Sequence, residues 1–264
     1  MTYSVLPVLW ESEFFAFPIG RLELPADYSP EQLEASLQLN RNRFRLVCIS
    51  LERNGPDSIP SNEAECVCID RRLRLTKSVP DNVNSLDTHV RAYTSTFCSK
   101  WLEQLAVQSG QLSRFKRDPE LSSHFERLFL TWINYSVSGE FADSIWTWRE
   151  GDRHVGLVTI RCVRRQLNEQ GDFEREGCIE LLAVDSQFRR HGIGTHLFDA
   201  CDFWCSSLAM KNVTLTTQLE NEQTIKLCEK IGYKRAGEST VYHYWSPGWV
   251  YDTRYGWISK IDTP

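Results

Sequence analysis

The chain has 264 residues, a formal net charge of −5 and 41% hydrophobic residues, enough to bury a sizeable core and more than one small domain usually needs. No long block of one charge sign occurs, which argues against nucleic acid as the main partner. No apolar stretch approaches the roughly 20 residues that span a bilayer, which argues against a membrane. The N-terminus lacks a charged start followed by an apolar core, and the nine cysteines are scattered without C-x-x-C pairs at zinc spacing. A cytoplasmic protein with reduced, mostly buried thiols and no bound metal is expected.

Two lobes are expected, residues 1–110 and 111–264. In the first, a short strand near Arg21–Leu24 precedes a helix opened by Ser29-Pro30, where serine can cap and proline suits the first helical position. Phe44–Leu51 and Ala64–Leu75 read as strands, separated by the Asn54–Asn62 loop, rich in Gly, Pro, Ser and Asn. Arg71, Arg72, Arg74 and Lys77 form a local basic run, read as the solvated face of a strand in preference to a phosphate site, and Pro80 to Ser85 reads as a linker. A helix from about Ser95 to Gln108 stops at Gly110, and a second from about Ser122 to Ser138 stops at Gly139. The second carries Phe125, Leu128, Phe129, Trp132 and Ile133 on one face, as a helix laid on a sheet should.

Strand Ser144–Glu150, a Gly151-Asp152 hairpin turn and strand His154–Val163 come next. Cys178 to Val184 is a strand-length apolar stretch with one charge, Glu180. It breaks into Arg189-x-x-Gly192-x-Gly194, after which Ile193, Leu197, Phe198, Cys201 and Trp204 or Cys205 repeat at helical spacing. Gly192 and Gly194 clear side chains from the loop, and the first N–H groups of the helix have no partner inside it, so they point at an anion beside Arg189 and Arg190. Asn221 then opens an apolar helix pattern, Ile225, Leu227, Cys228 and Ile231, that closes at Gly232-Tyr233 before an alternating strand from Ser239 to Trp245. The aromatic segment after Trp245 falls in no expected element.

The segment from Leu181 to Leu197 resembles the acyl-CoA pyrophosphate cradle of the GNAT superfamily of N-acetyltransferases, and the β-β-loop-β-α-β-α-β order after residue 140 is similar to that fold. The resemblance implies an α/β (α+β) architecture, a mixed central sheet flanked by helices with a smaller N-terminal α/β lobe. It implies acetyl-CoA as cosubstrate, held by Arg189, Arg190, His191, Gly192, Ile193, Gly194 and Thr195, by the backbone of Leu182, Ala183 and Val184, and by Asn221. Where the family pattern has a tyrosine that protonates the departing CoA sulfur, this chain has Cys228. A thiol ordinarily titrates near 8.5 against about 10 for a phenol, so Cys228 can donate a proton; it can equally be a small residue on a buried helix face, with Tyr242 or Tyr244 donating instead. Glu180 is the candidate base, because an acid in an apolar strand is costly unless paired or exposed in a cleft. The alternative is an inert pair with an arginine.

Leu9-Trp10-Glu11-Ser12-Glu13-Phe14-Phe15, Ser113-Arg114-Phe115-Lys116, Trp132-Ile133 and Gly139-Glu140-Phe141 are similar to the sugar-nucleotide branch of that superfamily, the dTDP-fucosamine acetyltransferases of polysaccharide synthesis. The loop around Arg164–Gly177 is longer than in that branch. The narrower resemblance implies transfer of acetyl to the amine of a nucleotide-linked amino-deoxysugar, with Trp10, Phe14 and Phe15 shaping the pocket and Arg114, or Lys116, on the diphosphate. Core packing is the other account of the aromatic cluster. A GNAT acting on another amine (an amino acid, a polyamine or a protein N-terminus) and a non-catalytic acyl-CoA-binding module stay open, as does a homodimer.

Overall fold

The computed structural model describes residues 2–53, 55–59, 65–81, 83, 85–166, 171–254 and 256–260. In chain order the elements are β1 Leu6–Pro7, α1 Leu9–Phe15, β2 Ile19–Leu24, α2 Pro30–Asn40, β3 Leu46–Leu51, β4 Ser58–Ile59, β5 Cys66–Ser78, β6 Val90–Ala92 and α3 Lys100–Ser109. There follow α4 Arg114–Arg117, α5 Phe125–Val137, β7 Ser144–Glu150, β8 Arg153–Gln166, β9 Phe173–Val184, α6 Ile193–Ser207, β10 Asn212–Gln218, α7 Glu222–Lys230, β11 Lys234–Trp245, β12 Trp249–Asp252 and β13 Gly256–Ser259. This is the expected mixed α/β architecture. Parts of the expected loop at 54–62 and strand start at 64, of the linker at 80–85 and of the long loop at 164–177 lie outside the described residues.

Two compact units form, residues 1–72 with 237–264, and residues 73–236. They differ from the expected division at residue 110 because the chain returns: β11 lays Thr240–Trp245 antiparallel against Leu51–Leu46 of β3. The C-terminal residues therefore share a hydrophobic core with the N-terminal ones.

In the first unit, β2 and β3 pair in parallel from Ile19↔Leu46 to Leu24↔Leu51. Strand β3 has β2 on one edge and β11 on the other, and its sequence LVCISL is buried almost throughout, as expected of a central strand. Helix α2 begins where expected, with Ser29 Oγ accepting from Gln32 N at 3.2 Å and Pro30 in the first turn. Leu33 and Leu37 bury one face of it against Leu22, Leu24, Val47, Ile49 and Leu51. Helix α1 and the β12–β13 hairpin were not foreseen. The aromatic tail is ordered by a cation, since the Arg45 guanidinium lies 3.3 Å from the ring centroid of Trp257 while also facing Phe17 and Trp245. Trp249 Nε1 adds a bond to the Arg41 carbonyl at 2.9 Å.

In the second unit the sheet runs β5, β10, β9, β8, β7, β6, with β10 parallel to β9 and antiparallel pairs from β9 through β6. Helix α6 buries Leu197, Phe198, Cys201 and Cys205 in a core with Val158, Ile160 and Ile179. Helix α3 starts at Lys100, later than expected, because Tyr93 and Ser95 both donate to the Phe97 carbonyl and turn the chain first; Ser99 then caps it. Strand β9 begins five residues earlier than its apolar run suggests, since charged Glu174, Arg175 and Glu176 belong to it. Buried Glu176 accepts from Arg74 at 2.8 Å. The basic run is therefore not simply a solvated face: Lys77 pairs with buried Asp202 at 2.6 Å and Arg72 with buried Asp70 at 2.7 Å.

Candidate active site

The interruption of β9 at Glu180 organises the second unit. In the register with β8, Thr159 faces Leu181 and Ile160 faces Ile179, so Glu180 is the extra residue of a bulge. Fully buried Thr159 closes the bulge by accepting the Leu181 N–H at 3.0 Å. On the other edge, the parallel register with β10 ends at Ile179↔Leu215, although β10 continues to Gln218. The two strands part there, so residues 180–184 of β9 carry backbone groups on that edge without a β10 partner in the ladder. Glu180 is exposed at this opening while Ile179 and Leu181 are buried. Crowding of the carboxyl by the protein pushes its pKa above the ordinary glutamate value, and the exposed Arg161 pulls the other way.

At the C-terminal end of β9, Asp185 N bonds to the Val155 carbonyl at 2.8 Å, and the Asp185 carboxylate accepts from Gln187 N at 3.0 Å. Arg189 Nε folds back to the Val184 carbonyl at 3.0 Å. Gly192 caps α6 with φ 82°, a left-handed conformation that favours glycine, and no atom comes nearer than 4.0 Å to where a Cβ would stand. The amides of Thr195 and His196 bond to the Gly192 carbonyl, which leaves those of Ile193 and Gly194 as the outward donors of the first turn. An anion fits at this cap. Gly194 has a packing role as well: its Cβ would lie 2.9 Å from Leu227 Cδ2, so its smallness lets α6 approach α7. The Ile193 side chain is in the core, so only its backbone faces outward. His191 Nδ1 is 3.2 Å from the Phe188 carbonyl, and Arg190 adopts φ 70°.

Asn221 caps α7 by position, and its Nδ2 donates to Thr217 Oγ1 at 3.0 Å. Nearby, Arg117 of α4 pairs with Glu220 at 3.1 Å. Cys228 is fully buried among Ile225, Phe198, Cys201 and Tyr233, and burial pushes its thiol up to about 12. Tyr242 and Tyr244 are fully buried in the core of the first unit; Tyr242 donates to the Pro56 carbonyl at 2.8 Å and its phenol is pushed up to about 12 by burial. None of these three side chains is exposed as a proton donor. In the first unit, α1 stacks Trp10 on Phe14 at 5.5 Å and buries Phe15. Buried Arg114, in the second unit, lies 4.0 Å from the ring centroid of Phe115.

The bulge, the parting of β9 from β10 and the glycine-capped helix all lie within residues 109–233, which the Acetyltransferase (GNAT) family profile matches. That segment is a GNAT acetyltransferase domain. The chain is 25% identical over 254 residues to the spore coat polysaccharide biosynthesis protein SpsD of Bacillus subtilis, covering 91% of this chain and 82% of that protein. Over 94 residues it is 36% identical to N-alpha-acetyltransferase 30 of Xenopus laevis and 35% to that of Homo sapiens, spanning 36% of this chain but only 34% and 25% of theirs. Its fold is similar to a GCN5-related N-acetyltransferase from Kribbella flavida (TM-score 0.52, 12% identity, 88% and 82% of the two chains). It is also similar to a tandem GNAT protein from the clavulanic acid biosynthesis pathway (TM-score 0.51, 13% identity, 86% and 75%). Among the described residues, no group of three or more His, Cys, Asp or Glu side chains is arranged to hold a metal, and no helix is long and apolar enough to cross a membrane.

The bulge and Arg161 were missed in the sequence. The one signal for the bulge is Thr159, a hydroxyl in the apolar run His154–Val163.

Proposed function

We propose that this chain transfers acetyl from acetyl-CoA directly to the amine of a nucleotide-linked amino-deoxysugar in a ternary complex. The observation that carries the reading is the position of Glu180: a carboxylate of raised pKa, exposed at the bulge where β9 leaves β10, four residues before the strand end that leads into the glycine-capped helix. The amides of Ile193 and Gly194 and the dipole of α6 hold the cofactor diphosphate, with Arg189 released from the Val184 carbonyl to join them. Backbone groups of Leu182, Ala183 and Val184 on the open edge bind the pantetheine and polarise the thioester carbonyl. Bound acetyl-CoA supplies the activated acyl group.

An acceptor that arrives as an ammonium must lose two protons. Glu180 takes the first, leaving a neutral nucleophile, and Arg161 keeps enough of the carboxyl ionised to do so. The second ends on the departing sulfur. Cys228, Tyr242 and Tyr244 have no part in this scheme, because each is buried away from solvent.

Similarity over most of the chain to a polysaccharide biosynthesis protein supports a sugar acceptor. The stronger but shorter similarity to N-alpha-acetyltransferases supports a second reading, in which the acceptor is a peptide α-amine. Thiol release from acetyl-CoA, with mass detection of product, separates them across dTDP- and UDP-linked 3-amino and 4-amino deoxysugars, free amino acids and peptides with free N-termini. Acetylation of one nucleotide sugar establishes the first reading; acetylation of peptides alone establishes the second. Acetyl-CoA binding without turnover on any amine leaves a non-catalytic acyl-CoA-binding module. Under the first reading, Arg114→Ala weakens nucleotide-sugar binding without weakening acetyl-CoA.

A further inference from the structure

His196 lies in the first turn of α6, outside the Arg189–Gly194 loop, and its ring is held in place by aromatic contacts. Trp148 of β7 stands 5.2 Å from it, centroid to centroid, and His89 stacks on Trp148 at 4.9 Å and 8°. Trp148 is itself fixed, buried to 7% exposure and donating through Nε1 to Glu150 at 2.8 Å. Helical side chains lean toward the N-terminus of their helix. The His196 ring follows this rule: Nε2 is 4.0 Å from where a Cβ of Gly192 would stand, level with the helix cap, while Nδ1 faces Asp199 at 3.5 Å.

We propose that His196 is a further ligand for the diphosphate of acetyl-CoA, binding it through Nε2 as an imidazolium. The inference rests on the acetyltransferase reading of the same cap. The carboxylate of Asp199, 3.5 Å from Nδ1, favours a ring protonated at that nitrogen, so a neutral ring would turn the Nε2 lone pair toward the phosphate oxygens. Only the protonated ring donates at both nitrogens, which makes phosphate and Asp199 joint partners of one cation. Cofactor binding then takes up a proton. The charged groups around the stack are Asp87 and His89 ahead of β6, Arg149 and Glu150 on β7, Asp199 on α6, and Arg189, Arg190 and His191 in the loop. Asp87 accepts from His89 at 2.9 Å, and its carboxyl is held below the usual range by those hydrogen bonds, with a smaller contribution from the charge of His196.

The test is calorimetric binding of acetyl-CoA and of 3′-dephospho-acetyl-CoA to the full chain between pH 5.5 and 8.5, in buffers of different ionisation enthalpy. The second ligand lacks the phosphate monoester that titrates in this range. For the wild type, the Kd of both ligands rises about tenfold across the range, the effect of a one-unit shift in a linked group, with net proton uptake that peaks in the middle of the range and fades at both ends. His196→Gln flattens the profile and abolishes the uptake; His89→Gln, which removes a stacked ring but no ligand, preserves both. A superimposable profile in His196→Gln, or a pH dependence confined to the ligand with the 3′-phosphate, overturns the assignment while leaving acetyl-CoA binding intact. No binding of either ligand at any pH overturns the acetyltransferase reading along with it.

Discussion

Strands β9 and β11 are both twelve residues long and both carry titratable side chains that the sequence marks as catalytic candidates, yet they treat them oppositely. Along β11, pairing with β3 runs unbroken from Thr240↔Leu51 to Trp245↔Leu46, and Tyr242 and Tyr244 are sealed into the core. Along β9, a bulge on one edge and the loss of β10 on the other bring Glu180 to an exposed opening. An intact ladder thus makes a polar side chain structural, whereas an interrupted one makes it available.

The sharpest challenge to this contrast is Glu180→Gln, which should lower kcat about 10²- to 10⁴-fold, the range for loss of a general base, while leaving acetyl-CoA affinity unchanged. Because the Glu180 pKa is raised and the ionised form is the active one, wild-type kcat/KM should hold above that pKa and fall as pH drops through it. The variant should lose that acid limb. Undiminished turnover would mean the opening on β9 is not where the proton is taken.

Next in size is Cys228→Ser, which places a hydroxyl in a fully buried apolar site and should cost about 1–3 kcal/mol in urea unfolding, with turnover per folded molecule unchanged. A collapse of kcat in stably folded protein would return Cys228 to the chemistry. Gly192→Ala should cost about 1–2 kcal/mol through its positive φ alone, since the space around a Cβ there is open. Tyr242→Phe should be the mildest, about 0.5–1.5 kcal/mol for the lost bond to the Pro56 carbonyl, and silent in activity assays.

The strand, glycine turn and helix from β9 into α6 were legible in the sequence because apolar period and glycine punctuation coincide there. The extents of the elements were less so. Glu174–Glu176 hid the start of β9, since a buried carboxylate reads as polar until its partner Arg74, 102 residues away in sequence, is known. The aromatic tail could not be placed because its order depends on Arg45, a cation whose role is invisible without the three rings around it. The proposed CoA contacts around Gly192 follow from local pattern. The choice among Cys228, Tyr242 and Tyr244 does not, because burial is a property of the whole sheet.

The return of residues 237–264 to the first unit also sets an order for biosynthesis. As the chain leaves the ribosome, residues 73–236 are complete and contiguous, while β3 still lacks the strand that covers its second edge. That apolar edge must wait for Thr240–Trp245 to emerge, so the N-terminal segment is the last to close and the one most in need of protection from misassembly during translation.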